Sequence, residues 1–155
     1  MYFIAHRGNI SGPNLERENH PDYLLEAIDL GFDVEVDIWF WHNCSLSDGM
    51  FYLGHDRPQY PVDHLFIEKI KTHAWFHCKN LDALSHISKF DGTNYFWHQN
   101  DDFTLTSKGY IWTFPGKGIS DKSILLAKSI DNVDLKNCAG VCSDHISLIY
   151  GIMYI

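Results

Sequence analysis

The sequence predicts an α/β domain built on parallel strands, and three observations carry that prediction. Residues 1–5 form a short apolar run that stops at His6-Arg7-Gly8. Residues 21–30 have a helical apolar face, and Gly31 follows them. Residues 32–39 alternate Val34, Val36 and Ile38 with Glu35, Asp37 and Trp39, the period of a strand. A strand, a helix and a second strand in this order make a βαβ unit, which implies a parallel pair.

The elements follow in order. The first strand, residues 1–5, delivers His6 and Arg7 at its end. Residues 9–19 hold Gly12 and Pro13 and read as a loop. A helix opens with Asn19 or His20 as cap, Pro21 in the first turn and Asp22 near the positive end of the dipole. Leu24, Ala27 and Ile28 share its apolar face. After the alternating strand, residues 39–49 read as a loop and residues 50–53 as a short strand ending at Gly54-His55-Asp56. Pro61 is expected to open a helix running to Thr72. Residues 74–78 and 95–97 are strands, with a short helix marked by Leu81, Leu84 and Ile87 between them. Beyond these, residues 103–106, 110–113, 123–127 and 139–142 are strand-like, with turns between them. No repeat, low-complexity segment or linker interrupts the chain, so residues 1–155 read as one domain.

Composition narrows the function classes. The chain is ordinary globular material, 45% hydrophobic and 21% charged, and its net charge of −8 argues against a broad basic surface for nucleic acid or anionic membrane. No apolar run approaches the roughly 18 residues of a membrane span. Cys44, Cys78, Cys138 and Cys142 lack Cys-x-x-Cys spacing, and no secretory signal is apparent. Free thiols and a cytoplasmic location are the expectation.

The alternating strand sets Glu35 and Asp37 side by side on one face. Two buried carboxylates repel one another unless a cation neutralises them, so the pair reads as oxygen ligands for a divalent metal. The alternative is a strand with one wet face. In a parallel arrangement active groups gather at the carboxyl ends of strands. His6-Arg7, the Glu35–Asp37 pair, His77 to Lys79, and His98 stand at such ends, and His55 follows a small strand. Two histidines, a cation-binding carboxylate pair, an arginine and a lysine suit phosphodiester cleavage. One imidazole would deprotonate the nucleophile and the other protonate the leaving alkoxide. Asp56 is expected to orient His55. His98 would line the mouth; Trp39, Trp97 and Trp112 read as packing residues first, with a wall for a glycerol or sugar face as the alternative. The remaining histidines, including His20, His73 and His86, read as structural.

His6-Arg7-Gly8, Glu18-Asn19, Glu35-Val36-Asp37 and Gly54-His55-Asp56 together resemble the glycerophosphodiester phosphodiesterase family, in order and rough spacing over residues 1–79. Trp112-Thr113 and Gly140 to Asp144 extend the resemblance more faintly. It implies a TIM-type (β/α) barrel, with His6 and His55 as the acid–base pair and Arg7 and Lys79 on phosphate. His98 and Trp112 are expected as further substrate contacts. Glu18, Glu35 and Asp37 would hold a divalent metal, Mg²⁺ or Ca²⁺. A neighbouring glycerol hydroxyl would attack phosphorus, and water would open the cyclic phosphate.

Two departures from the family stand out. His77 occupies the place of a further glutamate ligand, and imidazole as a fourth ligand admits Mn²⁺. A full barrel takes about 250 residues, so the expectation is a compact one with reduced helices in its second half. That stubby half suggests a flank covered in a homodimer. The substrate expected is a small phosphodiester. The alternatives are a degenerate barrel that binds phosphate or carbohydrate without turnover, and a metal-free lyase. Glu35 beside Asp37 argues against the lyase.

Overall fold

The computed structural model describes residues 1–42, 49–128 and 135–154. Strand β1 (Tyr2–His6) is followed by helix α1 (Pro21–Asp29) and strand β2 (Asp33–Trp41). His20 caps α1, its Nδ1 accepting from the Asp22 amide at 3.2 Å, and Pro21 opens the helix. β1 and β2 pair in parallel, as the βαβ reading requires.

Two hairpin strands come next, β3 (Met50–Leu53) and β4 (Tyr60–Val62). The helix expected from Pro61 begins later. Pro61 lies in β4, opposite Tyr52 of β3, and α2 (His64–Ile70) is capped by Asp63, which accepts from the Phe66 amide at 2.8 Å. Proline needs no ladder donor on an edge strand, which is what β4 is.

β5 (Ala74–Cys78), α3 (Leu81–Ile87) and β6 (Asn94–Trp97) follow as expected. The short strands β7 (Phe103–Leu105), β8 (Ile111–Thr113), β9 (Ser123–Ala127) and β10 (Gly140–Ser143) come next. The last element, α4 (Ile146–Tyr154), lies where the sequence reading had none.

The strands form one curled mixed sheet. β6, β5, β2, β1, β10, β9 and β8 run parallel in that spatial order, β7 pairs antiparallel with β8, and the β3–β4 hairpin extends the far end of β2. This overturns the expected compact TIM-type (β/α) barrel. Helices do not alternate with strands: among the described residues none separates β6, β7, β8 and β9. Nor does the ladder close. β6 meets the β7 region through one backbone bond, Ser107 N–H to the Tyr95 carbonyl at 2.9 Å. Side-chain bonds assist, including Thr104 Oγ1–H to the Trp97 carbonyl at 2.8 Å. The connection of residues 114–122 carries β8 to β9 without a helix, so that flank lacks the outer layer that a barrel needs.

The pleat organises the concave face. Ile4, Trp75, Phe96, Trp112, Ile124 and Cys142 form one buried apolar cluster drawn from six strands. Two residues further along each strand, the same face carries His6, His77, His98, Phe114, Leu126 and Asp144. An apolar floor thus lies beneath a rim at the carboxyl ends. The larger apolar cluster unites the other face with the helices, through Leu24, Val34, Val36, Ile67, Phe76 and Ile87 among others.

No described helix is long and apolar enough to cross a membrane. Cys78 and Cys142 are free thiols, and Cys44 lies outside the described residues.

Candidate functional site

The backbone turns sharply where β1 ends. Arg7 has φ 54° and Asn19 has φ 62°, left-handed values that are uncommon outside glycine. Arg7 is pinned in this conformation by its own N–H on the Glu35 carbonyl, at 3.1 Å, and by the Asn19 N–H on its carbonyl, at 3.0 Å. The turn aims the guanidinium back across the end of β2. Gly54 makes the corresponding bend before His55. Its φ is +143°, and a β-carbon there would stand 2.3 Å from the Arg57 carbonyl, so only glycine fits. Trp39 Nε1–H donates to the Gly54 carbonyl at 2.6 Å and secures that bend.

Glu35 and Asp37 are both buried, so β2 has no wet face. Asn19 holds Asp37 from two sides: its Nδ2 donates to Oδ2 at 2.9 Å, and its Oδ1 accepts from the Asp37 amide at 2.9 Å. Around Asp37 stand Arg7 Nε at 3.0 Å, His77 Nδ1 at 3.1 Å and Lys79 Nζ at 3.3 Å. Burial alone would raise the Asp37 pKa, but His77, Lys79 and Arg7 hold it well below the usual carboxylate range. Burial likewise opposes protonation of His77, yet its contacts with Asp37 and Glu35 prevail and raise its pKa to about 9.

Each proposed acid–base histidine has a carboxylate on Nδ1. His6 Nδ1–H donates to Asp144 Oδ1 at 2.8 Å, and His55 Nδ1–H donates to Asp56 Oδ1 at 2.6 Å. Those bonds fix the tautomer and leave Nε2 of each ring for a substrate. His6 Nε2 lies 3.8 Å from Glu35 Oε2. Burial disfavours the His6 cation, but the Asp144 hydrogen bond and the Glu35 charge outweigh it, and the pKa is raised.

Glu35, Asp37 and His77 offer three donor atoms within 4.8 Å of one another. Two observations test whether they suit a metal. Glu35 Oε2 and Asp37 Oδ1 are buried without a hydrogen-bond partner, although Asp37 Oδ1 has close ionic neighbours. His77 Nε2 faces the His98 carbonyl at 2.9 Å and must donate to it. In the neutral ring the Nδ1 lone pair therefore points at Glu35 Oε1, 3.4 Å away, and Asp37 Oδ1, 3.1 Å away. Such an arrangement demands a proton or a metal ion between the three groups. With both His6 and His77 neutral, the carboxylates of Glu18, Glu35, Asp37 and Asp144 face the permanent cations Arg7 and Lys79, an excess that one divalent cation would balance. The residues fit such an ion.

Glu18, the other expected ligand, stands apart from this group. Its Oε2 accepts from Arg7 Nη1 at 3.0 Å and its Oε1 from Asn9 Nδ2 at 2.9 Å, so it holds Arg7 in place. His6, Arg7, Glu35, His55, His77, Lys79, His98 and Trp112 all line one cavity of about 320 Å³. Its far wall is apolar, with Trp97, Phe114 and Leu126. Trp112 is largely taken up by packing, stacked on Phe96 at 4.6 Å between ring centres. Cys78 also reaches the cavity, but burial pushes its thiol up to about 12, which rules out a ready thiolate.

Asp144 and Asn9 belong to this network without having been singled out as site residues. Asn9 Nδ2 bridges Glu18 Oε1 and Asp144 Oδ1, at 2.9 and 2.8 Å. The signal for Asp144 lay in its place two residues beyond Cys142 on a terminal strand.

No protein-family model, no curated protein and no solved structure matches the chain.

Proposed function

We propose that the chain is a metal-assisted phosphodiesterase acting on a small glycerophosphodiester-like substrate. The observation that carries this reading is the convergence of His6, Arg7, Glu35, His55, His77 and Lys79 on one cavity, with two histidines each oriented by a carboxylate. The resemblance of residues 1–79 to glycerophosphodiester phosphodiesterases supports it. In this reading the Nε2 of one histidine takes the proton from a substrate hydroxyl next to the phosphodiester. That oxygen attacks phosphorus, and the Nε2 of the other histidine protonates the leaving alkoxide. Water then opens the cyclic phosphate with the two roles exchanged. Arg7 and Lys79 stabilise charge on the non-bridging oxygens. Glu35, Asp37 and His77 would hold a divalent cation, which would supply Lewis-acid stabilisation of the phosphate charge. Asn19, Asn9 and Glu18 hold Asp37 and Arg7 in position. The free Cys78 and Cys142 support a cytoplasmic setting.

The test is phosphorus NMR on a mixture of glycerophosphodiesters, with Mg²⁺, Ca²⁺ or Mn²⁺ and with chelator, comparing the natural chain with His6→Ala. The expected outcome is metal-dependent loss of one diester signal, slowed by about 100-fold or more in the variant. Turnover that persists at full rate in His6→Ala would sink the mechanism.

One observation favours a second reading, a phosphate- or carbohydrate-binding module without turnover. Protonated His77, Arg7 and Lys79 already surround Asp37 and can neutralise it without a metal. Calorimetry separates the two: absence of heat with millimolar Mg²⁺, Ca²⁺ and Mn²⁺ would favour the module.

A further inference from the structure

A second cavity, of about 480 Å³, adjoins the first and is lined by Arg7, Leu15, Glu18, Asn19, His55, Asp56, Arg57 and Gln59. Arg7 and His55 line both cavities, so they stand at the passage between them. A diester whose phosphorus sits at these two residues would extend one arm toward each side. The carboxylates of the second cavity are engaged: Glu18 by Arg7 and Asn9, and Asp56 by His55. Asp56 accepts from His55 and keeps its charge, and Arg57 is the cation of this cavity that has no side-chain partner among the described residues.

Arg57 is also held in place by its backbone. The bend at Gly54 packs against the Arg57 carbonyl, Trp39 secures Gly54, and the Gln59 N–H returns to the Leu53 carbonyl at 2.9 Å. A cation presented on a fixed loop, beside residues that would grip a phosphodiester, is arranged for a second anion on the same molecule. Arg57 is exposed, so its guanidinium is open to an anionic ligand.

We infer that the second cavity binds a further anionic group of the substrate, with Arg57 as its recognising residue. The inference rests on reading the first cavity as a phosphodiester site, and it narrows the substrate to diesters carrying a terminal phosphate monoester or carboxylate. No bond is made or broken in the second cavity; Arg57 selects and positions.

The test compares three glycerophosphodiesters that end in a hydroxyl, a carboxylate or a phosphate monoester. Binding is measured by calorimetry, and turnover by phosphorus NMR, for the natural chain, Arg57→Ala and Arg57→Lys. The expected result is that one anionic end improves binding about tenfold over the hydroxyl end in the natural chain. The preferred end distinguishes phosphate from carboxylate. That ratio should fall to near one in Arg57→Ala, recover partly in Arg57→Lys, and shrink at high salt. If all three diesters turn over with equal binding, the function stands and the inference is overturned. If an anionic end improves binding through Arg57 but nothing turns over, the inference stands and the phosphodiesterase reading fails. If none binds, both are overturned. A preference that survives in Arg57→Ala also overturns the inference.

Discussion

The rim of the concave face has two arcs of opposite chemistry. On β10, β1, β2 and β5 it carries Asp144, His6, the Glu35–Asp37 pair and His77, whereas on β8 and β9 it carries Phe114 and Leu126. Both arcs stand on the same apolar floor. The difference lies in what supports the strands. α1 and α3 pack on β2, α3 also on β5, and α4 on β1 and β10, while no helix lies between β6 and β9 in the chain among the described residues. Charged side chains buried a few ångströms apart require a backbone that cannot relax away from them. They are found on the arc that helices hold.

That contrast predicts very different sensitivities. Asp37→Asn would leave Arg7, His77 and Lys79 facing a neutral amide in a buried site. It should lower stability by about 3–5 kcal/mol, the range for breaking a buried ion pair. Leu126→Ala, on the apolar arc and half-buried, should cost about 1 kcal/mol. Urea unfolding of both variants measures the gap. A smaller loss for Asp37→Asn than for Leu126→Ala would mean that the polar arc is a solvated surface and not a built site.

A smaller effect is expected from pH. The His77 pKa is raised in the folded chain to about 9, against about 6.5 for a free imidazole. In chelator its contribution to stability is therefore fully present below about pH 6.5 and is lost as pH rises through about 9. The size is roughly 3 kcal/mol, and the depressed Asp37 pKa reports the same pair, so the two are not added. Thermal unfolding from pH 6 to pH 10 should show this decline in the natural chain and a much flatter profile in His77→Gln. An equally steep decline in the variant would remove His77 as its source.

The polar arc was legible in sequence as far as strand ends reveal it. His6, Glu35, Asp37 and His77 sit on strands and His98 just past one, and the period of two along a strand puts them on the face of the floor residues. The fold was legible strand by strand but not as a whole. Whether a parallel ladder closes depends on the helices behind it and on long-range pairing, which local periodicity does not encode. The helix α4 was missed because its sequence is apolar on every side, without a polar face to give a helical period. Pro61 misled because proline opens helices and also suits an edge strand. The carboxylate partner of His6 and Asn9 was hidden for another reason. Asn9 meets Asp144 from 135 positions away, and only the pairing of β10 beside β1 joins them.

Asp144 gives the finest test of the arc, because it directly follows β10 and acts on β1. It is only partly buried, and burial would raise its pKa, but the His6 hydrogen bond and charge keep it lowered. Asp144→Asn can retain an acceptor for His6 Nδ1 while deleting the charge, so stability should fall by only about 1 kcal/mol. The His6 pKa should fall as well, since the Asp144 hydrogen bond and charge are among the influences that raise it. Following the His6 ring by proton NMR against pH would read this directly, without any substrate. A downward shift in Asp144→Asn would show that Asp144 tunes His6 across the pairing of β10 with β1. An unmoved His6 titration would mean that other charges of the rim set it, and Asp144 would lose its role as the tuning carboxylate.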